Sequence, residues 1–282
     1  MTKRIARDEI LRRLRGEVAA KRSILVVGAG NGLVARCAED AGADLLVVYN
    51  SGHYRLNGLA SLVGSLPVGD ANAMVVEMGS RDILPAVRNI PVIGGLYGVD
   101  PTRDIEDVLD SVERVGYSGI INFPTVGRID GRYRQELEAA GLGYGKEIEM
   151  VRKAHQRGLF TMAYTFTADQ AEQLAEAGLD VLVGHVGLTG GGDVGSPLAV
   201  GLDGAVEFLE GVFAGARRVR DDLIFLSHGG PIISAEHAEY VNERTGAVGF
   251  VAASSVERIP VETAVKNACR GFKTIGTGQR SN

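Results

Sequence analysis

Residues 38–48 read AEDAGADLLVV, and residues 171–183 read AEQLAEAGLDVLV. In each, a charged, helix-like stretch stops at a glycine, Gly42 or Gly178, and an apolar run begins after two more residues. Glycine just past a helix, followed at once by a continuous apolar run, marks the passage from a helix into a strand buried on both faces. The same pattern recurs from end to end. Apolar runs stand at Ile24–Val27, Leu45–Tyr49, Val92–Ile93, Ile120–Phe123, Phe160–Tyr164, Val181–Val183, Ile224–Leu226 and Gly249–Val251. Amphipathic stretches such as Asp104–Val115, Ala168–Ala177, Leu202–Val219, Ala235–Glu243 and Val261–Phe272 lie between or after them. Strands and helices in strict alternation, with no linker between, predict an α/β protein built as a single (β/α)8 TIM barrel over residues 1–282. Residues 1–22 read as an N-terminal helical extension.

Composition narrows the function. The chain is 45% hydrophobic and 23% charged, which excludes disorder, and its net charge of -5 with no basic block gives no footprint for nucleic acid. Glycine is the outlier, with 39 residues, about twice the usual 7% share, concentrated where apolar runs end. Cys37 and Cys269 form no disulfide framework and no metal spacing, and read as small buried hydrophobes. The charged start lacks a signal-peptide core, and no window reaches the roughly 18 apolar residues that span a bilayer. A cytoplasmic protein without membrane partners is expected.

GAGNG, at 28–32, follows the first strand but lacks the third glycine of a dinucleotide fingerprint, and the second strand ends at Asn50 and Ser51 without a ribose-binding acid. A tight turn explains it better. In a barrel, chemistry gathers where strands end. Those positions carry Asn50, Ser51 and Gly52, then Gly94 and Gly95, Asn122, Tyr164, His185, Ser227 with His228, and Ser254 with Ser255. Polar residues at the ends of apolar strands point to a pocket for a small anionic substrate. The last two loops, SHGGP at 227–231 and AASSVER at 252–258, suggest an anion site, with Gly229 and Gly230 offering backbone N–H groups and Ser254 and Ser255 capping a helix. His185 and His228 are candidate general acid/bases. Asn50–Glu77 is long for a loop and reads as a lid, in which Arg55 offers a fork for a carboxylate or phosphate. Asp70 either caps the helix that follows or acts beside the substrate.

Three stretches resemble the phosphoenolpyruvate/pyruvate superfamily of barrels, which includes phosphoenolpyruvate mutase and phosphonopyruvate hydrolase. They are AEDAGADLLVVYNSG at 38–52, VGDANAMVVEM at 68–78 and IPVIGGLYG at 90–98. More of the chain is similar to the phosphoenolpyruvate hydrolase-like family: YNSGHYRLNGLASLVGSLPVGDANA, NFPTVGRIDGRYRQELEAAGLGYGKEIEM, LVGHVGLTGG, HGGPI and ASSVERIP. The resemblance implies that Ser51-Gly52 binds the carboxylate end of a substrate, and that Asp70, in a turn with Asn72, lies near the reacting centre. It further implies a magnesium ion held by an acidic pair after the third strand. Here Gly94 and Gly95 occupy those positions, and Asn122-Phe123-Pro124 replaces an acidic set after the fourth, leaving only Asp70 with Glu77 or Asp100.

The expected function is therefore a hydrolase or lyase acting on a small 2-oxo acid or a phosphorylated or phosphonate analogue, by C–P, P–O or C–C cleavage. Asp70, His185 and His228 would be catalytic, and Asn50, Ser51, Gly52, Arg55, Asn72, Asn122, Tyr164, Gly229, Gly230, Ser254 and Ser255 would bind substrate. No cofactor is required beyond a possible magnesium ion, and a homo-oligomer is expected. The alternative is a non-catalytic ligand- or protein-binding barrel, since a related barrel forms the C-terminal part of a plant antiviral resistance protein.

Overall fold

A computed structural model describes residues 4–196 and 200–275. Eight parallel strands close into one barrel in sequence order: β1 Ile24–Gly28, β2 Leu45–Val48, β3 Val92–Leu96, β4 Gly119–Asn122, β5 Phe160–Thr165, β6 Val181–His185, β7 Ile224–His228 and β8 Gly249–Ala252. The ring shuts where β1 pairs β8, with Val26 opposite Val251. The strands are buried on both faces, with Leu25 on the outer side of β1 the partly exposed exception, which is why each reads as a continuous apolar run.

The two faces of the strands build two cores. Val92, Leu96, Ile120, Ala163 and Leu182 point outward and pack under the helices. Val47, Ile93, Ile121, Met162, Val183 and Leu226 point inward and fill the barrel. The helix Arg7–Ala19 belongs to this inner core, because Ile10, Leu11 and Leu14 are buried in it. At the C-terminal end the inward positions change character and become Tyr49, Gly95, Phe123, Tyr164, His185 and His228. A barrel interior is a packed core rather than a pore, so its last layer is the floor of any site above it.

The structure corrects several readings. β3 does not stop at Ile93 but runs through Gly94 and Gly95 to Leu96. Asn50–Glu77 is not an open loop: it folds into the helix Asn50–Leu56, a 3-10 turn Ser61–Ser65 and the helix Ala71–Met78. Cys37 and Cys269 are exposed rather than buried, since both fall on the outer faces of their helices. The eighth helical position is the most unusual. After a four-residue helix, Ser254–Glu257, the chain enters the helix Ile259–Lys273, which contributes no buried residue. Its Val261, Val265 and Phe272 are 44%, 55% and 75% exposed. The outer surface of β8 and β1, which an eighth helix ordinarily covers, is an open groove lined by Leu25, Phe250, Ala252, Ile233 and Ala238.

Candidate active site

The floor of the mouth is aromatic. The rings of Tyr164, His185 and His228 form a triangle, the tyrosine centroid 4.9 Å from each histidine and the histidines 4.7 Å apart. Tyr49 shares a hydroxyl–hydroxyl hydrogen bond of 2.6 Å with Tyr164 and packs on Phe123 at 5.0 Å. Both histidines are buried, and burial, their largest influence, holds them neutral. His228 is pushed down to about 4, with the Arg55 and Arg128 guanidinium groups adding to the effect. His185 lies well below its ordinary value for the same reason, with His228 and Arg128 contributing.

Their hydrogen bonds give them opposite tautomers. His228 Nδ1 lies 2.7 Å from the carbonyl oxygen of Val251, which can only accept, so Nδ1 carries the proton and Nε2 is a free lone pair. His185 Nδ1 accepts the Gly187 N–H at 3.1 Å, so its proton is on Nε2. One ring is left as a base and the other as a donor.

Beside this floor a buried carboxyl holds Asn122. Glu147 projects from the helix Gly145–Gln156 and accepts from Asn122 Nδ2 at 2.6 Å, Thr125 Oγ1 at 2.7 Å and the Val126 N–H at 2.7 Å. Asn122 Oδ1 in turn accepts the Tyr164 N–H at 2.6 Å, so the strand tips of β4 and β5 are cross-tied. Burial pushes the Glu147 carboxyl up to about 7 despite its three donors. Its contribution to stability is therefore full below its ordinary value near 4.5 and is lost as pH rises through about 7. The histidines run the other way, because a base held neutral gains relative stability as pH rises toward 6.5. Glu147→Gln is expected to remove one slope and leave the other. In urea unfolding, the free-energy difference between variant and wild type should grow by about 3 kcal/mol in the variant's favour from pH 4.5 to pH 7. A difference that stays flat would mean the carboxyl is not raised.

The opposite side of the mouth is organised by a buried ion pair. Arg55, expected to be a free fork, is instead turned inward onto Glu257, with the side chains 3% and 0% exposed. Its Nε and Nη2 both donate to Glu257 Oε2, and Nη1 donates to the hydroxyls of Ser51 at 3.1 Å and Ser61 at 3.2 Å. Among the described residues Glu257 Oε1 and Asn50 Oδ1 are buried without a partner, while Asn50 Nδ2 donates to the Gly64 carbonyl. Gly52 is buried in the same corner, where a Cβ would meet Glu257 Oε1 at 3.1 Å.

The loops after β7 and β8 are not laid out as expected. Gly229 and Gly230 have φ of +79° and +58°, and the Gly230 N–H donates to Gly187 at 3.0 Å, so that amide is already used within the protein. Ser254 lies 3.4 Å from the Ser61 hydroxyl, and neither serine caps the helix, whose N-cap is Ala253 without a side-chain bond. Ser255 lines the outer groove rather than the mouth.

Asp70 and Asn72 stand apart from the histidines. Asp70 caps the helix Ala71–Met78 through the Ala73 N–H at 2.9 Å and pairs with Arg103, which brings its pKa down to about 2. Asn72 straps this helix to Tyr97 and Asp100. Asp70→Asn is expected to cost under about 1 kcal/mol, because asparagine caps as well and the pair with Arg103 is solvent-exposed. A melting curve comparing the two proteins checks this, and a loss of several degrees would assign the carboxylate more than a cap.

The magnesium set does not assemble from these residues. Arg103 already bridges Asp70 and Asp100, and Glu77 pairs with Arg81. At the tip of β3, a Cβ on Gly95 would lie 2.6 Å from Tyr49 Cδ1, so the Tyr49 ring takes the space of a side chain there. Among the described residues, no three His, Cys, Asp or Glu side chains group to hold a metal.

Sequence reading missed Tyr49, Glu147, Glu257 and Arg128. Glu147 had a signal: it shares the buried helical face of Val151 and Ala154, at i, i+4 and i+7, where a lone carboxyl needs partners.

The chain is similar to two tomato (Solanum lycopersicum) proteins. These are the ToMV resistance protein Tm-1(GCR237), 44% identical over 270 residues, and the ToMV susceptible protein tm-1(GCR26), 45% identical over 267. The matches cover 95% and 94% of this chain but only 36% and 35% of the tomato proteins, so it spans about a third of their length. Among solved structures, a phosphonopyruvate hydrolase complex with oxalate and Mg++ superposes with a TM-score of 0.60 at 16% identity, covering 97% of this chain and 88% of that one, a likeness of fold alone. The family model described as phosphoenolpyruvate hydrolase-like matches residues 9–275, and the chain belongs to that family.

Proposed function

We propose that this barrel is an enzyme that binds a small 2-oxo acid, or its phosphorylated or phosphonate analogue, at the mouth and cleaves the C–P, P–O or C–C bond beside the enolate-forming carbon. The observation that carries the reading is the pair of neutral histidines with opposite tautomers. His228 Nε2 takes a proton from the attacking water or hydroxyl, and the His185 Nε2–H donates to the enolate oxygen, assisted by the Tyr49 and Tyr164 hydroxyls. A pKa near 4 makes His228 a weak base in the free protein. An anionic substrate beside it offsets the fields of Arg55 and Arg128 and raises that value when proton transfer is needed. Asn122, held by Glu147, braces Tyr164 beneath the substrate rather than touching it, and the Asn50–Ser51–Gly52 corner closes the other side. The test is release of pyruvate from phosphonopyruvate, phosphoenolpyruvate and 2-methylmalate, with inorganic phosphate from the first two, and of oxalate or pyruvate from oxaloacetate, each with and without EDTA. No turnover and no thermal shift with any of them would end the reading.

A second reading, a binding barrel without chemistry, is favoured by the capture of Asp70 by its cap and Arg103. It predicts ligand or protein binding that survives loss of either histidine's basic nitrogen. We also propose a cytoplasmic setting, supported by two exposed free thiols.

The same reading includes a homo-oligomer. The exposed stripe Val261, Val265, Ala268 and Phe272 and the uncovered β8–β1 groove match in apolar character, and exchange of the helix Ile259–Lys273 with a second copy would bury both. Light scattering should give a dimer, and Val265→Asp with Phe272→Asp should give a folded monomer. A monomeric wild type at about 50 μM would exclude the exchange.

A further inference from the structure

One cation at the mouth has no anion. Arg128 ends the short 3-10 turn Val126–Arg128 after β4 and lines an open cleft of about 690 Å3 together with His185, Gln170, Phe166 and Arg134. Among the described residues its guanidinium has no hydrogen bond and no ion pair. The other arginines near the mouth are all engaged. Arg55 is held by Glu257, Arg258 by Glu262 and the Gly191 carbonyl, and Arg134 by Glu138 at 2.7 Å and the Val126 carbonyl at 3.0 Å. Burial alone lowers the Arg128 pKa, with no carboxylate opposing it. The cleft's acidic groups do not compensate: Glu138 is taken by Arg134, and Asp130 and Asp169 are exposed. A mostly buried charge without a partner is costly and persists in a protein chiefly where a ligand completes it.

The rest of the mouth argues for the same side. The Asn50–Glu257 corner offers buried acceptor oxygens, which repel an anion, and the Gly230 amide is spent on Gly187. Among the arginines of the mouth, Arg128 alone presents unused donors, in a fork that fits two oxygens of one group. Arg128 and His185 line the same cleft, so an anion seated on the guanidinium lies on the His185 side of the mouth. We propose that Arg128 anchors the anionic end of the ligand, a carboxylate or phosphoryl group, in the β4–β6 cleft next to His185. This rests on the mouth being the ligand site but not on turnover.

The experiment is calorimetry with oxalate and, separately, inorganic phosphate on wild type, Arg128→Gln, Arg128→Lys and Arg132→Gln. Oxalate is expected to bind wild type and to lose about tenfold or more in affinity in Arg128→Gln, with a smaller loss in the lysine variant. Arg132→Gln removes an exposed arginine outside the cleft, paired with Glu136, and should stay within about twofold. The phosphate arm shows whether the fork prefers a planar or a tetrahedral anion. Melting curves supply an independent readout: ligand-free Arg128→Gln should melt at or above wild type, since it removes an unpaired charge, while losing the rise that oxalate gives. Unchanged oxalate and phosphate affinity in Arg128→Gln, or no binding of either anion to wild type at millimolar concentration, would overturn the assignment. If the variant keeps its affinity while the substrate panel shows turnover, Arg128 falls and the enzyme stands. If the variant loses affinity and the panel is silent, Arg128 stands as the anchor of a binding site.

Discussion

His228→Asn is expected to cut turnover by about 10²–10⁴-fold with little change in melting temperature. An asparagine amide reaches roughly where Nδ1 sits and can still donate to the Val251 carbonyl, so the local structure survives while the basic Nε2 disappears. The companion substitutions separate the two rings. His185→Gln places an N–H near the former Nε2 and should lose much less than His185→Asn, which cannot reach it. His228 follows the opposite rule, because a glutamine N–H at Nε2 puts a donor where a lone pair is needed. Kinetics on the first productive substrate of the panel, beside melting curves, give the comparison. A His228→Asn enzyme within about threefold of wild type would remove the base from the mechanism and leave the binding reading in its place.

Arg55→Leu should lower the unfolding free energy by about 3–5 kcal/mol, the largest single stability effect expected in this protein. The cost comes from what remains: Glu257, fully buried and stripped of both N–H donors, with Ser51 and Ser61 losing a partner as well. The double variant Arg55→Leu with Glu257→Leu should recover much of the loss, because removing both charges costs less than stranding one. Urea unfolding of the four proteins in a double-mutant cycle measures the coupling. A loss under about 1 kcal/mol in the single variant would mean that the pair is not ionic in the native state.

The barrel was legible because parallel strands buried on both faces write themselves as unbroken apolar runs, and because the helix-to-strand glycines repeat. It was misread where glycine carried another meaning. Gly94 and Gly95 look like a turn but lie inside β3, where the lack of a side chain makes room for Tyr49. The glycines of Asn50–Glu77 suggested a lid, yet that segment is folded and tied down by Tyr54, which donates to the Val68 carbonyl. At the mouth, the positions of Asn122, Tyr164, His185 and His228 follow from counting strand ends. Arg55 could not be placed that way, since its partner is 202 residues distant in sequence. Glu147 and Arg128 reach the mouth from a helix and a turn, and no spacing rule connects them to the strands.

The Tyr49 ring against Gly95 has a consequence for descent. A single codon change that set an acid at position 95 would drive its Cβ to 2.6 Å from Tyr49 Cδ1 and 3.0 Å from the Val48 carbonyl. The tyrosine would have to shrink first, and that change alone would leave a hole in the barrel floor and break the hydroxyl pair with Tyr164. Neither order of the two steps is free, so one aromatic ring keeps the third strand of this barrel from gaining a side chain by single replacements.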